Sequence, residues 1–197
     1  MIGDPPAYAA LSDGALMVLF ANGDPGASRV LAARLLPRAL SHAARVLGDR
    51  AEAEDVAQEA MLRLWRAAAG WQQDGAAQPA TWLYRVVANL CTDRLRRSGR
   101  TASLEDADLA WDGQPGVEDR LIEKGRMAAL DEALAHLPDR QRQAVVLRHI
   151  EGLSNPEIAA ILDLGVEAVE SLTARGKRAL AQALANSKEA LGYDDGP

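Results

Sequence analysis

Apolar and polar positions follow a helical period through the first hundred residues, and capping residues cut the pattern into four segments. Ser12 is placed to cap a short helix through Phe20. Asp24 followed by Pro25 opens a second, which continues to about Leu47 through a kink at Pro37 and stops at Gly48. A third helix is predicted from about Ala51 to Ala68, and a fourth from Pro79 or Thr81. The sequence shows no Asn-Gly hairpin signal, no sustained period-two run and no internal repeat.

Projected at about 100° per residue, the third helix places Val56, Ala60, Met61, Leu64 and Trp65 on one half. Asp55, Gln58, Glu59, Arg63 and Arg66 fall on the other, and Leu62 projects from the middle of that polar half. Leu62 is either a stray surface leucine or an apolar anchor, ringed by polar residues, that docks on another protein.

In the fourth helix Trp82, Leu83, Val86, Val87, Leu90 and Cys91 share one arc and form a core face, which makes Cys91 a small buried hydrophobe. Arg85, Asn89, Thr92 and Arg96 line the other side as a polar track about 16 Å long. Arg94, Arg97 and Arg100 extend the positive charge past the expected end of the helix. The track is either a solvated face or a surface for a nucleic-acid backbone.

Further on, Ser154-Asn155-Pro156-Glu157 reads as a capping box, with Glu three residues after the cap. The short helix it starts carries Ile158, Ala159, Ile161 and Leu162. Asp163-Leu164-Gly165 then supplies a tight turn, and a new helix begins near Val166 and passes through Arg178. Two short helices joined in this way predict a helix-turn-helix whose second helix can enter a major groove. On that helix Val169, Leu172, Thr173, Gly176 and Leu180 face inward. Glu167, Glu170, Ser171, Ala174, Arg175 and Arg178 face outward, where they can meet bases or phosphates.

Composition narrows the class. Apolar residues make up 48% of the 197-residue chain and charged residues 25%, while aromatics are only 4%, so an all-α fold is expected. The single cysteine excludes an intramolecular disulfide. The longest clear apolar run, Ala15 to Ala21, is far short of the roughly 18 residues of a membrane span. Met-Ile-Gly-Asp lacks the basic lead of a signal peptide, so a cytoplasmic location is expected.

A net charge of −6 argues against a nucleic-acid partner until its distribution is read. Glu105, Asp106, Asp108, Asp112, Glu118 and Asp119 fall in one stretch without a base, and the rest of the chain is neutral overall. Arg85 to Arg100 holds five arginines against one acid, and Leu172 to Lys188 holds four bases and no acid. Two small helical domains are therefore expected, at residues 10–100 and 122–188, joined by a flexible acidic linker at 101–121 that includes Gly113, Pro115 and Gly116. His42, His136 and His149 are scattered, and Glu132 with His136 is the one carboxylate-imidazole pair at helical spacing. No catalytic residue, metal site or cofactor is predicted.

Several motifs resemble one family. Ala53-Glu54-Asp55-Val56-Ala57-Gln58-Glu59 through Leu64-Trp65-Arg66, then Thr81-Trp82-Leu83-Tyr84-Arg85 through Asn89 and Asp93-Arg94-Leu95-Arg96-Arg97, resemble region 2 of bacterial extracytoplasmic-function sigma factors. Leu137-Pro138-Asp139-Arg140-Gln141-Arg142, then Glu151-Gly152-Leu153-Ser154 and Glu157-Ile158-Ala159, resemble region 4 of the same family. The chain departs from it at Ser28, Pro79, Glu167 and Glu170, and at Asp163, which stands in place of the usual turn glycine.

The resemblance implies a dissociable subunit of RNA polymerase that recognises promoters. Asp55, Gln58, Glu59, Leu62 and Arg63 would dock on the β′ clamp helices. The stretch Trp71 to Ala80 and the track of Arg85, Asn89, Thr92, Arg96, Arg97 and Arg100 would open the −10 element, where Trp71 is either a stacking face or a lid on the core. Glu167, Glu170, Ser171, Ala174, Arg175 and Arg178 would read the −35 duplex, while region 4 also contacts the β flap. An anti-sigma factor that clamps both domains is a further implied partner. A helix-turn-helix regulator acting without polymerase would share the second domain, but would have no use for the Leu62 face or the basic track.

Overall fold

A computed structural model describes residues 8–71, 78–101 and 119–190; the side chains of 98, 100, 101, 119–126 and 186–190 lie outside the description. The regular elements among the described residues are all helical, without a strand. In chain order the helices are α1 (Asp13–Ala21), α2 (Pro25–Leu47), α3 (Arg50–Ala67), α4 (Pro79–Thr101), α5 (Asp119–Ala135), α6 (Asp139–Val145), α7 (Asn155–Leu162) and α8 (Val166–Ala190). A 3₁₀ turn, Ala68–Gly70, follows α3, and a π turn, Val146–Ile150, follows α6. The acidic segment at 102–118 and the loop at 72–77 lie outside the described residues.

The caps act where the sequence puts them. The Ser12 side chain accepts from the Ala15 N–H. Asp24 accepts from the N–H groups of Gly26 and Ala27 while Tyr8 Oη donates to both of its carboxylate oxygens. These bonds hold the Asp24 carboxyl below its usual range, although its burial acts the other way. Gly48 ends α2 in the left-handed region, at φ 72°. Pro37 lies inside α2, which continues past it to Leu47.

Helices α1 to α4 enclose one core of buried side chains that includes Leu16, Met17, Leu31, Leu35, Val46, Val56, Leu64, Leu83, Val87 and Cys91. Each fully buried leucine or methionine contributes about 1.5–3 kcal/mol. Trp82, Val86 and Leu90 pack partly buried around it, so the predicted core face of the fourth helix is present.

The second half has no core of comparable size. Leu134, Leu137, Val145 and Val146 form one small cluster. Leu147, Ile158, Ala159, Ile161 and Val169 form another, and this one is completed by Tyr84 and Ala88 from α4. Ser154 and Glu157 make the capping box, and Asp163, at φ 55°, is the one non-glycine residue with positive φ among the described residues. Gly176 lets α8 lie directly on α6, since a Cβ there would come within 2.5 Å of Val145 Cγ2.

One boundary differs from the sequence reading. Arg94, Arg97 and Arg100 lie within α4 rather than beyond its end, because Gly99, the one weak helix former in that stretch, does not outweigh its neighbours. The second helix of the helix-turn-helix begins at Val166 and passes through Arg178, as the sequence predicts, and ends at Ala190.

Candidate protein-binding and nucleic-acid interfaces

On α3 the polar half is solvent-facing. Asp55, Gln58 and Arg63 are exposed and Glu59 is half-buried. Arg63 Nε donates to Glu59 Oε1 at 2.8 Å, and this bond holds the Glu59 carboxyl below its usual range. Leu62 is 49% exposed at the centre of this group, so it contributes little to the fold. Arg94 of α4 reaches back to α3, where it bonds the Glu52 carboxylate and lies 3.9 Å from Asp55. It ties the two helices together instead of extending the basic track.

The track on α4 is divided. Arg85, Asn89, Arg96 and Arg97 are exposed, and Arg96 comes within 4.0 Å of Asp93. Thr92 is half-buried: its hydroxyl donates to the Ala88 carbonyl at 2.9 Å and accepts from Gln143 Nε2 at 3.1 Å. The backbone of Arg100 continues the helix, while its side chain is outside the described residues. Trp71 is half-buried against the core and meets Trp82 edge to face, with ring centroids 6.5 Å apart. That is the geometry of a lid on the core.

On α8, Glu167, Glu170, Ser171, Ala174, Arg175 and Arg178 are all exposed, and Val169, Thr173 and Gly176 are buried beneath them. Glu170 is oriented from the start of α7, where Asn155 Nδ2 donates to its Oε1 at 3.4 Å. Beside it opens a cleft of ≈250 Å³ lined by Arg148, His149, Glu170 and Lys177. Arg148 donates to the Leu153 carbonyl at 2.8 Å. Partial burial, reinforced by Lys177 and Arg148, lowers the His149 pKa from its ordinary value. The sequence reading named His149 only as one of three scattered histidines and did not single out Arg148 or Lys177. Their signal was the Arg148-His149 pair just ahead of the capping box and Lys177 between Arg175 and Arg178.

It also missed Tyr84, whose hydroxyl donates to the Glu151 carboxylate. Burial, with Glu151 adding to it, raises the Tyr84 pKa and keeps the phenol protonated. Its signal was an aromatic four residues before the small Ala88, on the border between the core arc and the polar track.

Burial pushes the Cys91 thiol up to about 12, far from a thiolate at neutral pH. His136 Nδ1 donates to the backbone carbonyl of Glu132 at 2.8 Å, so the two residues at helical spacing meet through the backbone. Among the described residues no His, Cys, Asp and Glu cluster has the arrangement of a metal site. No helix among them is long and apolar enough to cross a membrane.

Comparison with known proteins agrees with this architecture. The sigma-70 region 2 model matches residues 31–101, and the sigma-70 region 4 model matches residues 127–180. The extracytoplasmic-function sigma factor SigM of Mycobacterium tuberculosis is 37% identical over 75% of this chain and 72% of its own. The sigma-E factor of Escherichia coli K12 is 31% identical over 86% of this chain and 93% of its own. The sigma factor RpoE of Bartonella quintana, solved in complex with the anti-sigma factor NepR, has the same fold, with a TM-score of 0.66 at 21% identity over 79% of this chain and 95% of that one. With both regions present in order and relatives matched over most of their length, the chain belongs to the extracytoplasmic-function family of RNA polymerase sigma factors.

Proposed function

We propose that this sigma factor acts in the cytoplasm as a non-catalytic promoter-recognition subunit, with residues 10–100 and 122–188 as its working domains and 101–121 as the connector. The exposed face of α3, formed by Asp55, Gln58, Glu59, Leu62 and Arg63, docks on the β′ clamp helices. Charged groups at its rim orient the encounter, and Leu62 fills an apolar pocket. The observation that carries this reading is Leu62, half exposed on a helix whose other large apolar residues point inward.

The −10 element is opened along α4. Arg85, Asn89, Thr92, Arg96, Arg97 and Arg100 follow the displaced strand, and the segment beginning at Trp71 holds the flipped base, offsetting an unstacking cost of a few kcal/mol. Region 4 contacts the β flap and reads the −35 duplex with Glu167, Glu170, Ser171, Ala174, Arg175 and Arg178. An anti-sigma factor holds the protein inactive until it is released, which is the kind of partner borne by RpoE of Bartonella quintana.

Run-off transcription with core polymerase tests the reading. The wild-type chain is expected to direct a promoter-dependent transcript. Leu62→Glu should weaken core binding by at least about tenfold, or about 1.4 kcal/mol, without shifting Tm. Wild-type core affinity in the variant would remove Leu62 from the interface; absence of any transcript and of any core binding by the wild type would reject the subunit role.

A further inference from the structure

A cleft of ≈250 Å³ adjoins the outward row of α8 and shares Glu170 and Ala174 with it. It is also lined by Lys177 of α8, by Arg148 and His149 of the π turn, and by Asn155 at the start of α7. A duplex resting on the row would therefore bring a strand of its backbone to the mouth of the cleft.

Three bases meet there over one acid. Among the described residues no ion pair uses Arg148, His149 or Lys177. Glu151, the first carboxylate after the turn, is taken by the Tyr84 hydroxyl, and Glu170 across the cleft is bonded by Asn155, which carries no charge. Partial burial first, then Lys177 and Arg148, hold the His149 imidazole below its ordinary pKa. Gathered like charges of this kind are costly until an anion joins them.

The groups present select the anion. Arg148 Nη1 donates to the Leu153 carbonyl at 2.8 Å, which fixes the guanidinium and leaves its other N–H groups for a ligand. Lysine and a protonated imidazole are donors as well. A base edge is uncharged and would leave the cations facing one another, whereas a phosphodiester neutralises them and accepts from all three.

We propose that the cleft is a proton-coupled clamp for the DNA backbone: Arg148 and Lys177 hold one phosphate of the −35 duplex, and His149 takes up a proton from solvent as it bonds the same phosphate. The proposal rests on the −35 reading of α8, which supplies the duplex. Base preference stays with the outward row, and the clamp sets how affinity responds to pH. In the free chain the neutral imidazole is favoured, while in the complex the phosphate favours the imidazolium. Between those two states the complex binds more protons, so affinity falls as the pH rises.

The experiment uses the full chain bound to core polymerase and a fluorescent −35 duplex recovered by that complex from a randomised library. Affinity is read by anisotropy from about pH 6 to about pH 8 at constant ionic strength. The parent is expected to lose at least about threefold in affinity across that range. His149→Gln, which cannot take up the proton, should remove that loss; His136→Gln, at an exposed position on α5, should keep it. Lys177→Gln should weaken binding at every pH and reduce the salt slope by about one. Neutral methylphosphonates placed singly along each strand should abolish the parent's pH dependence at one backbone position. A parent profile matched by His149→Gln would overturn the proton coupling. A pH dependence that survives every methylphosphonate would overturn the phosphate as ligand, and in both cases the −35 reading stands. If the complex recovers no preferred duplex, that reading fails and the clamp fails with it.

Discussion

Region 2 and region 4 are built on different terms. Helices α1 to α4 enclose a continuous core of their own, from Leu16 in the first helix to Cys91 in the fourth. Region 4 distributes its apolar residues over two smaller clusters, one of them completed by Tyr84 and Ala88 of region 2. The contrast extends to the surfaces: the α4 track is partly engaged through Thr92, whereas the outward residues of α8 are exposed. A domain that melts DNA and holds polymerase benefits from rigidity. Region 4 draws part of its apolar packing from region 2.

Paired core truncations would test that asymmetry most severely. Leu35→Ala and Leu134→Ala each remove a fully buried leucine and should cost about 2–5 kcal/mol. In native-state hydrogen exchange, Leu35→Ala is expected to lower protection in both regions, because region 4 rests on region 2. Leu134→Ala should lower protection in α5 to α8 and leave α1 to α3 near the parent value. Equal loss in α1 to α3 from Leu134→Ala would break the comparison.

A second effect, of about 3 kcal/mol, concerns His42. It is fully buried on α2 with neither ring nitrogen hydrogen-bonded, and its ring meets Tyr84 edge to face at 5.7 Å. Burial first, and Arg45 second, lower its pKa from 6.5 to about 4. The neutral ring is favoured in the folded state and the unfolded state takes up the proton more readily. The stability contribution is therefore complete above about pH 6.5 and is lost as the pH falls toward 4. His42→Leu should flatten urea-unfolding free energies across that window relative to the parent. Parallel pH profiles for the two proteins would show that the imidazole is not the group responsible.

The smallest effect sharpens the contrast between the two DNA faces. Arg178→Ala should weaken all −35 duplexes alike and reduce the salt slope by about one. Glu170→Gln should change base preference at one position by about 1 kcal/mol, because the charge is lost and one of two oxygens that could accept from a cytosine amino group becomes an amide donor. A duplex library selected with parent and variant reads both. Identical preferences after Glu170→Gln would leave that carboxylate with Asn155 alone.

Features set by a few neighbouring residues were legible in the sequence. The caps at Ser12, Asp24 and Ser154, the stop at Gly48 and the turn at Asp163 all depend on side-chain to backbone geometry within a few positions. Leu62 was legible because it violates the period of its own helix. Other outcomes depend on what lies opposite. Arg94 turns to Glu52 because α3 presents a carboxylate there, and Thr92 is engaged within the track because Gln143 arrives from about fifty positions away. No helical wheel contains its neighbour. The reach of α4 to Thr101 was missed for a different reason: one glycine among good helix formers is too weak a stop.

Gly176 has a consequence for how the promoter preference of such a protein can drift. On the proposed −35 reading, each outward residue of α8 would meet its own small portion of a duplex, a base edge or a phosphate, so exchanging one would act locally. Gly176 sets how closely α8 lies against α6, and a Cβ there would come to 2.5 Å from Val145 Cγ2, so the packing beneath the outward residues would have to shift. Selection can then edit the text at positions such as 170 and 174, while position 176 remains the binding of the book.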